Sequence, residues 1–385
     1  MDPKRIRKNS ESPAAGAMAD CILPEDIMLC ILTRLPVKSI HRFKSVCKPL
    51  REVFSSPDFA KMHRAQFPLN PENQSVVIYG RKYNYDHTIS LLKIQSDEEK
   101  KPTKLAIPSH QMSYHAEFIG CCNGLLCMAI PHLGELIDLW NPALNNMSIH
   151  LPLPNLKVTD EEWVSIGFGY NEEADDFKVI RIVDLARNKK KIRIGVEVYS
   201  GNSDSWSTID VGFHFTVTVK RNEAIVNGNP YWIANVEDKP VLVCFDVREM
   251  VFKIVPLPYR IFKEVDDWLF ADWKGDLGAL VCNNKNGERA FSIDVLVFDD
   301  VGNIGWTKNH RFEPIELRIY RVLQCSKNGK ILVGECFHDE KVFVFDTENG
   351  GFEEIVIDGT LNVSFQIYGY TESLAYIEGM EPLKH

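Results

Sequence analysis

Adjacent carboxylates are the residues of this sequence that could take part in acid–base chemistry. Neighbouring residues on a strand point to opposite faces, and neighbours in a turn are solvated, so adjacency does not aim two carboxylates at one substrate. The sequence also contains no GxSxG, HExxH, P-loop or dinucleotide-binding signature. It therefore predicts a protein that is not an enzyme. The adjacent pairs are Asp175-Asp176, Asp266-Asp267 and Asp299-Asp300.

Cysteine and histidine are the residues that could hold a metal ion. Of ten cysteines, only Cys121, Cys122 and Cys127 lie close together, within the apolar run CCNGLLCMAI and with no histidine at ligand spacing. Such cysteines are typical of buried strands. The eleven histidines show no ligand spacing either. We expect free thiols, no metal and no cofactor.

Composition excludes several classes of partner. The 385 residues carry a formal net charge of −9, whereas a nucleic-acid-binding surface is basic. No run of apolar residues is long enough to cross a membrane, and residues 1–20 lack the apolar core of a secretory signal. We expect a cytoplasmic or nuclear protein. Residues 1–20 predict a disordered tail, although their basic stretch PKRIRK also fits a nuclear-localisation signal.

Residues 21–66 have the apolar spacing of short amphipathic helices. Pro24 suits the first position of a helix, and Pro36 ends that helix and can open the next one. Pro57 marks a third. The pattern predicts an all-α module of about three helices. The first stripe comprises Leu23, Ile27, Ile31, Leu32 and Leu35, and the second comprises Val37, Ile40, Phe43, Val46 and Cys47.

This module has more apolar residues than three short helices need for a core. The surplus could cover a partner protein or could simply complete the module's own core, and spacing does not separate these alternatives. The residues concerned are Leu23, Pro24, Ile27, Ile31, Leu32, Leu35, Pro36, Val46 and Leu50.

Residues 75–377 show the texture of a repeated all-β domain. Short apolar runs alternate with Gly, Asn, Asp and Pro, and aromatic anchors recur about every fifty residues, which is typical of propeller blades. In each repeat two large residues are expected to meet across a hairpin. The length predicts six blades, followed by a tail at 378–385. The pairs are Trp140 with Met147, Tyr199 with Trp206, Phe245 with Phe252, Phe298 with Trp306, and Phe345 with Phe352.

The helical segment resembles the F-box. The motifs LPEDI, ILTRLPVKS, RFKSVCK and SPDF occur in that family's order over residues 22–63. Plant members usually carry Trp shortly after CK, where this chain has Pro49 and Leu50. The resemblance implies that the nine apolar residues named above bind a Skp-type adaptor.

The downstream region resembles the plant F-box-associated β domain, which is propeller-like and occurs in S-locus F-box and F-box/kelch-repeat proteins. GCCNGLLCM, LWNPALNNMSIHLP, GFGYNEEADDFKVIRIV and the closing YGYTESLAYI carry the likeness. Together the two resemblances imply the substrate-recognition subunit of a cullin-based ubiquitin ligase, which reaches cullin and the RING protein through the adaptor. The alternative is a protein-interaction module that sequesters a partner independently of any ligase.

Residues 259–276 form the leading candidate for a target-binding loop. They follow the strand end IVPLP and combine charges with residue types that dominate protein interfaces. The alternative is that both tryptophans pack inside a blade. The candidate residues are Tyr259, Arg260, Phe262, Trp268 and Trp273.

Overall fold

The structure is a computed structural model, and it describes residues 24–81, 87–94, 102–108, 115–130, 136–158, 163–184, 194–217, 219–257, 267–284, 291–299, 305–315, 319–325, 329–335, 341–355 and 364–383. The predicted tail at 1–20 lies outside these residues. Leu23, Tyr259, Arg260 and Phe262 lie outside them as well.

The N-terminal part is a helical module of four α-helices, one more than the sequence pattern predicts. These are α1 (Glu25–Leu32), α2 (Val37–Phe43), α3 (Lys48–Phe54) and α4 (Pro57–Gln66), followed by two 3-10 turns, Phe67–Leu69 and Pro71–Asn73. The second predicted helix is interrupted after Phe43, and Pro49 lies in the first turn of α3. Proline fits a first turn because it has no N–H to donate.

The core of the helical module is small and partly aromatic. Ile40, Phe54 and Phe59 are buried at its centre, with the Phe54 and Phe59 rings edge to face at 5.0 Å. His63 is fully buried, and its Nε2 lies 2.9 Å from the Leu35 carbonyl oxygen. This bond ties α4 to the turn between α1 and α2.

The rest of the chain folds mainly into β-strands. In chain order they are β1 (Gln74–Arg81), β2 (His87–Lys93), β3 (Thr103–Lys104), β4 (Glu117–Cys122), β5 (Leu125–Ala129), β6 (Ile137–Asn141), β7 (Met147–His150), β8 (Trp163–Asn171), β9 (Asp176–Asp184), β10 (Ile194–Ser200), β11 (Ser205–Ile209), β12 (Thr216–Val217), β13 (Ala224–Val226), β14 (Asn229–Val236), β15 (Lys239–Asp246), β16 (Val251–Pro256), β17 (Asp267–Trp273), β18 (Asp276–Asn284), β19 (Phe291–Asp299), β20 (Gly305–Ile315), β21 (Ile319–Cys325), β22 (Lys330–Glu335), β23 (Lys341–Asp346), β24 (Phe352–Ile355), β25 (Ser364–Thr371) and β26 (Glu381–Pro382).

These strands form six antiparallel sheets, the blades of a propeller. Blade 1 has the order β25-β1-β2-β3, blade 2 has β4 to β7 with β26 outside β7, and blade 3 contains β8 to β11. Blade 4 contains β12 to β16, blade 5 contains β17 to β20, and blade 6 contains β21 to β24. The predicted architecture, an α-helical module followed by a six-bladed propeller, is confirmed.

The ring is closed by pairing between distant parts of the chain. β25 runs antiparallel to β1 from Gln74 opposite Thr371 to Arg81 opposite Ser364. The last long strand therefore completes the first blade. Without β25, the backbone groups on the inner edge of β1 would have no strand partner, so this pairing protects blade 1 from opening.

Apolar side chains from neighbouring blades meet in six clusters around the ring. Between blades 3 and 4, for example, Ile180 packs in the same cluster as Trp232. The Trp232 ring comes so close to Gly167 that a Cβ there would lie 2.1 Å from it. The hydrophobic core of the β domain is thus divided among the gaps between blades.

Four of the five predicted hairpin pairs are confirmed by strand register. Tyr199 lies opposite Trp206, Phe245 opposite Phe252, Phe298 opposite Trp306, and Phe345 opposite Phe352. The fifth prediction is wrong by one residue, since Trp140 lies opposite Ser148 and Met147 lies opposite Asn141.

The C-terminal residues 378–383 are part of the fold, and the prediction of a tail there is corrected. Glu381 and Pro382 pair with Ser148 and Met147 at the outer edge of blade 2. Met380 is buried in the cluster between blades 2 and 3. β7 would otherwise be an exposed edge strand, and an added strand satisfies its backbone groups.

Candidate functional site

The helical module exposes apolar side chains that its own core does not use. Ile27 is 48% exposed, Ile31 50% and Val46 68%. Ile27 and Ile31 are four residues apart on α1, so they lie on one face of that helix. Pro24 and Pro36 are exposed as well. Five of the nine predicted adaptor-binding residues therefore face outward.

Three others contribute to the module's own core. Leu32, Leu35 and Leu50 are half-buried and pack against Ile40 and Phe54. Leu50, which replaces the Trp usual in plant members, thus packs inside the module. The alternative of completing the module's own core therefore applies to these three residues, whereas adaptor binding by the five exposed ones stays a prediction. Leu23, the ninth residue, lies outside the described residues.

The prediction omitted two exposed apolar residues, Phe43 (40% exposed) and Met62 (38%). Phe43 is six residues beyond the buried Val37, which places it about 120° around the helix at ~100° per residue. A helical-wheel count on α2 could therefore have separated Phe43 from Val37, whereas Ile40, three residues before Phe43, is only about 60° away from it. The exposed large apolar residues between Glu25 and Gln66 are thus Ile27, Ile31, Phe43, Val46 and Met62.

The candidate target-binding tryptophans lie in a strand, which corrects the prediction of a single loop over 259–276. β17 is the innermost strand of blade 5, and its side chains alternate between two inter-blade clusters. Trp273 is 3% exposed and packs between blades 5 and 6. Trp268 is half-buried between blades 4 and 5, with its ring 5.2 Å from that of Phe270. The part of the predicted loop that precedes β17, residues 259–266, lies outside the described residues.

The innermost strands surround a central channel with a cavity of about 1060 Å³. One part of its wall comes from the helical module, where Arg64 and Ala65 of α4 and Pro68 and Leu69 of the following turn line the cavity. The module therefore lies over one mouth of the channel.

The channel wall mixes apolar side chains with polar ones, among them groups of opposite charge. The pKa of Arg221 is raised, first by Tyr368 and, against the effect of burial, by Glu223 and Glu117. The pKa of Glu223 is raised by burial and lowered by Arg221. Burial raises the pKa of Tyr368 to about 12. The guanidinium is therefore held in its charged form beside carboxylates.

Several of the residues first considered for chemistry are used in packing and ion pairs, whereas Asp266 and Asp300 lie outside the described residues. Asp175 lies in the turn between β8 and β9 and contacts Arg64, whereas Asp176 is buried and bonds to Lys178 and Ser200. Burial raises the pKa of the Cys127 thiol well above its usual range, and Asp138 adds to this effect. Among the residues that the structure describes, no group of three or more His, Cys, Asp or Glu could hold a metal ion. In the same residues no helix is long and apolar enough to span a bilayer.

Two family models match the chain, one over each part. Residues 21–62 match the F-box domain, and residues 77–377 match the F-box associated beta propeller domain. An F-box/kelch-repeat protein of Arabidopsis thaliana is 27% identical over 301 residues, covering 74% of this chain and 78% of that protein.

A second F-box protein of Arabidopsis thaliana is 25% identical over 388 residues, covering 88% of each chain. Among solved structures, a six-bladed fungal lectin of Aleuria aurantia matches 73% of this chain and 91% of its own, with a TM-score of 0.39 at 12% identity, a likeness too low to support an argument. The two family matches cover most of the helical module and all six blades apart from the start of β1 and β26. The chain therefore belongs to the family of F-box proteins with an F-box-associated β-propeller domain.

Proposed function

We propose that this protein is the substrate-recognition subunit of a Skp–cullin–F-box ubiquitin ligase. The observation that carries the proposal is the set of exposed apolar residues on the helical module, which matches the F-box domain. Covering these side chains with a partner removes apolar surface from water, which favours association. A Skp-type adaptor is the partner that the family implies.

The chain itself would form and break no bonds in this role. Its propeller would hold a protein target, while the adaptor would connect the helical module to cullin and the RING protein. Holding a target lysine near the activated ubiquitin raises its effective concentration, which accelerates the transfer without any catalytic group from this chain. No metal, cofactor or nucleic acid is needed for this function, and we propose that the protein acts in the cytoplasm, the nucleus or both.

We propose the target site on residues 259–266, which precede β17 in the sequence and lie outside the described residues. Tyr259, Arg260 and Phe262 remain its candidate residues, because aromatic and arginine side chains concentrate binding energy at interfaces. Trp273 is buried between blades and is therefore not a candidate for binding a target, whereas Trp268 is half-buried. A pull-down of the target with the Arg260→Ala variant would test whether this segment binds it. Undiminished capture would locate the site elsewhere.

Adaptor binding can be tested on two exposed residues of the module. We expect Ile31→Ala with Val46→Ala to weaken adaptor binding by roughly a hundredfold, if each side chain contributes about 1.4 kcal/mol. Ile254 on the outer strand β16 is a matched control, since it is 45% exposed and Ile31 is 50% exposed. Ile254→Ala should leave binding unchanged. Equal adaptor binding by the double variant and the control would contradict the proposal.

The rival function is a module that sequesters a partner without a ligase. In that case the exposed apolar residues would still bind something, but cullin would not accompany the protein. Co-purification from cells with and without the Ile31 and Val46 substitutions distinguishes the two. Cullin recovered with the native chain and lost with the double variant supports the ligase role.

A further inference from the structure

In the part of the chain that the structure describes, three separate elements of the propeller contact the helical module. The first is the stretch that follows β25, where the Val37 N–H donates to Glu372 Oε2 over 3.3 Å. In the same stretch Leu374 packs against the core formed by Ile40, Phe54 and Phe59. A propeller residue therefore completes the core of the module.

The second attachment is an ion pair at the turn between β8 and β9. Arg64 of α4 lies 2.8 Å from Asp175 Oδ1 and also donates to the Tyr170 hydroxyl. Its guanidinium lies 4.9 Å from the centre of the Tyr170 ring. Its side chain is only 14% exposed, so solvent screens this contact less than a surface pair.

The third attachment lies in the turn between β6 and β7. Asn145 Nδ2 is 3.3 Å from His41 Nε2 of α2, and both residues are exposed enough for water to compete. This contact is the weakest of the three. The attachments nevertheless come from three different parts of the propeller, and rotation about any one of them is opposed by the others.

The stretch that carries Leu374, residues 372–383, is itself fixed to blade 2. Asn141 Nδ2 donates to the carbonyls of Ser373 and Ala375 at 3.0 and 2.9 Å. The Ser373 hydroxyl donates to the Asn123 carbonyl at 2.6 Å. Beyond it, β26 pairs with β7. The position of Leu374 is thus set by the ring and not by the module.

We propose that residues 372–383, together with the Asp175 turn, hold the helical module and the propeller in one fixed orientation. Closure of the ring and placement of the module are then coupled, because the stretch that follows the closing strand also completes the module's core. The consequence, which rests on the proposed function, is that a bound target faces the ligase at a single angle.

The test measures the distance between two exposed sites on the free chain. Bioorthogonal spin labels at Lys61 and Lys239 avoid the ten cysteines. The combined variant Asp175→Asn, Glu372→Ala and Leu374→Ala changes only propeller residues, so the sequence that would bind an adaptor stays native. Asparagine is chosen at residue 175 because its φ is +51°.

A matched control exists in the same blade. Asp204, with φ +46°, accepts a hydrogen bond from the Tyr199 hydroxyl at 2.9 Å, as Asp175 does from Tyr170, but it has no described contact with the module. Asp204→Asn with Tyr376→Ala, an exposed residue of the same C-terminal stretch, should keep the native distance distribution.

We expect a single narrow distance in the native chain and the control, and a broad distribution in the combined variant. A narrow distance in the combined variant, or a broad one in the native chain, overturns the proposal. If Leu374→Ala unfolds the module, the pair Asp175→Asn and Glu372→Ala decides in its place by the same criterion. Because no adaptor is present, the result is independent of whether the protein joins a ligase.

Discussion

The ion pair of Arg181 and Glu197 in blade 3 leads to a quantitative prediction. Both side chains have 0% exposure, and Arg181 Nη1 lies 2.7 Å from Glu197 Oε2. The pair also holds the chain between β7 and β8, since the Leu156 N–H donates to Glu197 at 2.8 Å and the Leu156 carbonyl accepts from Arg181 at 2.9 Å. It is thus a buried network of four groups.

Arg181→Met would leave the Glu197 carboxylate buried without its counter-charge. Breaking a buried pair in this way costs about 3–5 kcal/mol of the free energy of unfolding. Replacing both residues by Met should cost less than the single change, because no uncompensated charge remains. The Leu156 backbone groups are half-buried, so water can replace part of their lost bonding.

The assay is urea unfolding of the native chain, the two single variants and the double variant, which together form a double-mutant cycle. Arg248 and Glu173 provide a control pair at the same 2.7 Å separation but with side chains 71% and 67% exposed. Arg248→Met should cost less than about 1 kcal/mol. The reasoning is refuted if the double variant loses as much stability as the two single variants combined, or if Arg181→Met and Arg248→Met cost the same.

Three further predictions concern the module, a blade and the ring. Burial lowers the pKa of His63, and the bond to the Leu35 carbonyl offsets only part of this shift. The module should therefore lose stability as the pH falls below about 6.5, because the unfolded chain binds a proton there that the folded chain does not. Thermal melts at pH 7.5 and 5.5 check this, and His63→Gln should reduce the pH dependence. Trp273→Ala should cost about 3–5 kcal/mol in a urea titration, because the side chain is buried between blades; a loss under 1 kcal/mol would show that the residue is not core. Deleting residues 362–385 removes β25 and β26 and should abolish cooperative unfolding measured by calorimetry, whereas an unchanged transition would contradict ring closure.

Strand pairing within a blade is predictable because it depends on residues near in sequence. Tyr199 and Trp206 are separated by one tight turn, so alternation and turn residues are sufficient to place them opposite each other. The number of blades follows from the length of the repeat. The family motifs identify the helical module for the same reason, since its four helices are contiguous in sequence.

The error at Trp273 has a different cause. Charges at 264–267 and the preceding proline make the whole segment resemble a loop, but the strand begins at Asp267 and its side chains alternate between two clusters. Whether an aromatic residue lies between blades depends on the neighbouring blade, which local composition does not describe. Trp140 shows a smaller effect, a register shifted by one residue in a hairpin of correct position.

The order of hydrophobic and turn residues along the chain is sufficient to predict the module, the blades and the number of blades. Each of these is stabilised by contacts over a few tens of residues. Residues 378–383 resemble a tail because nothing local marks them as structured, and the motif at 368–377 does not indicate what its last residues contact. The role of residues 372–383 as a whole depends on partners more than two hundred residues away, Asn141 for Ser373 and Val37 for Glu372. Such pairings form only when the ring closes and brings both ends of the chain together, so the tertiary structure alone decides how the module is attached to the propeller.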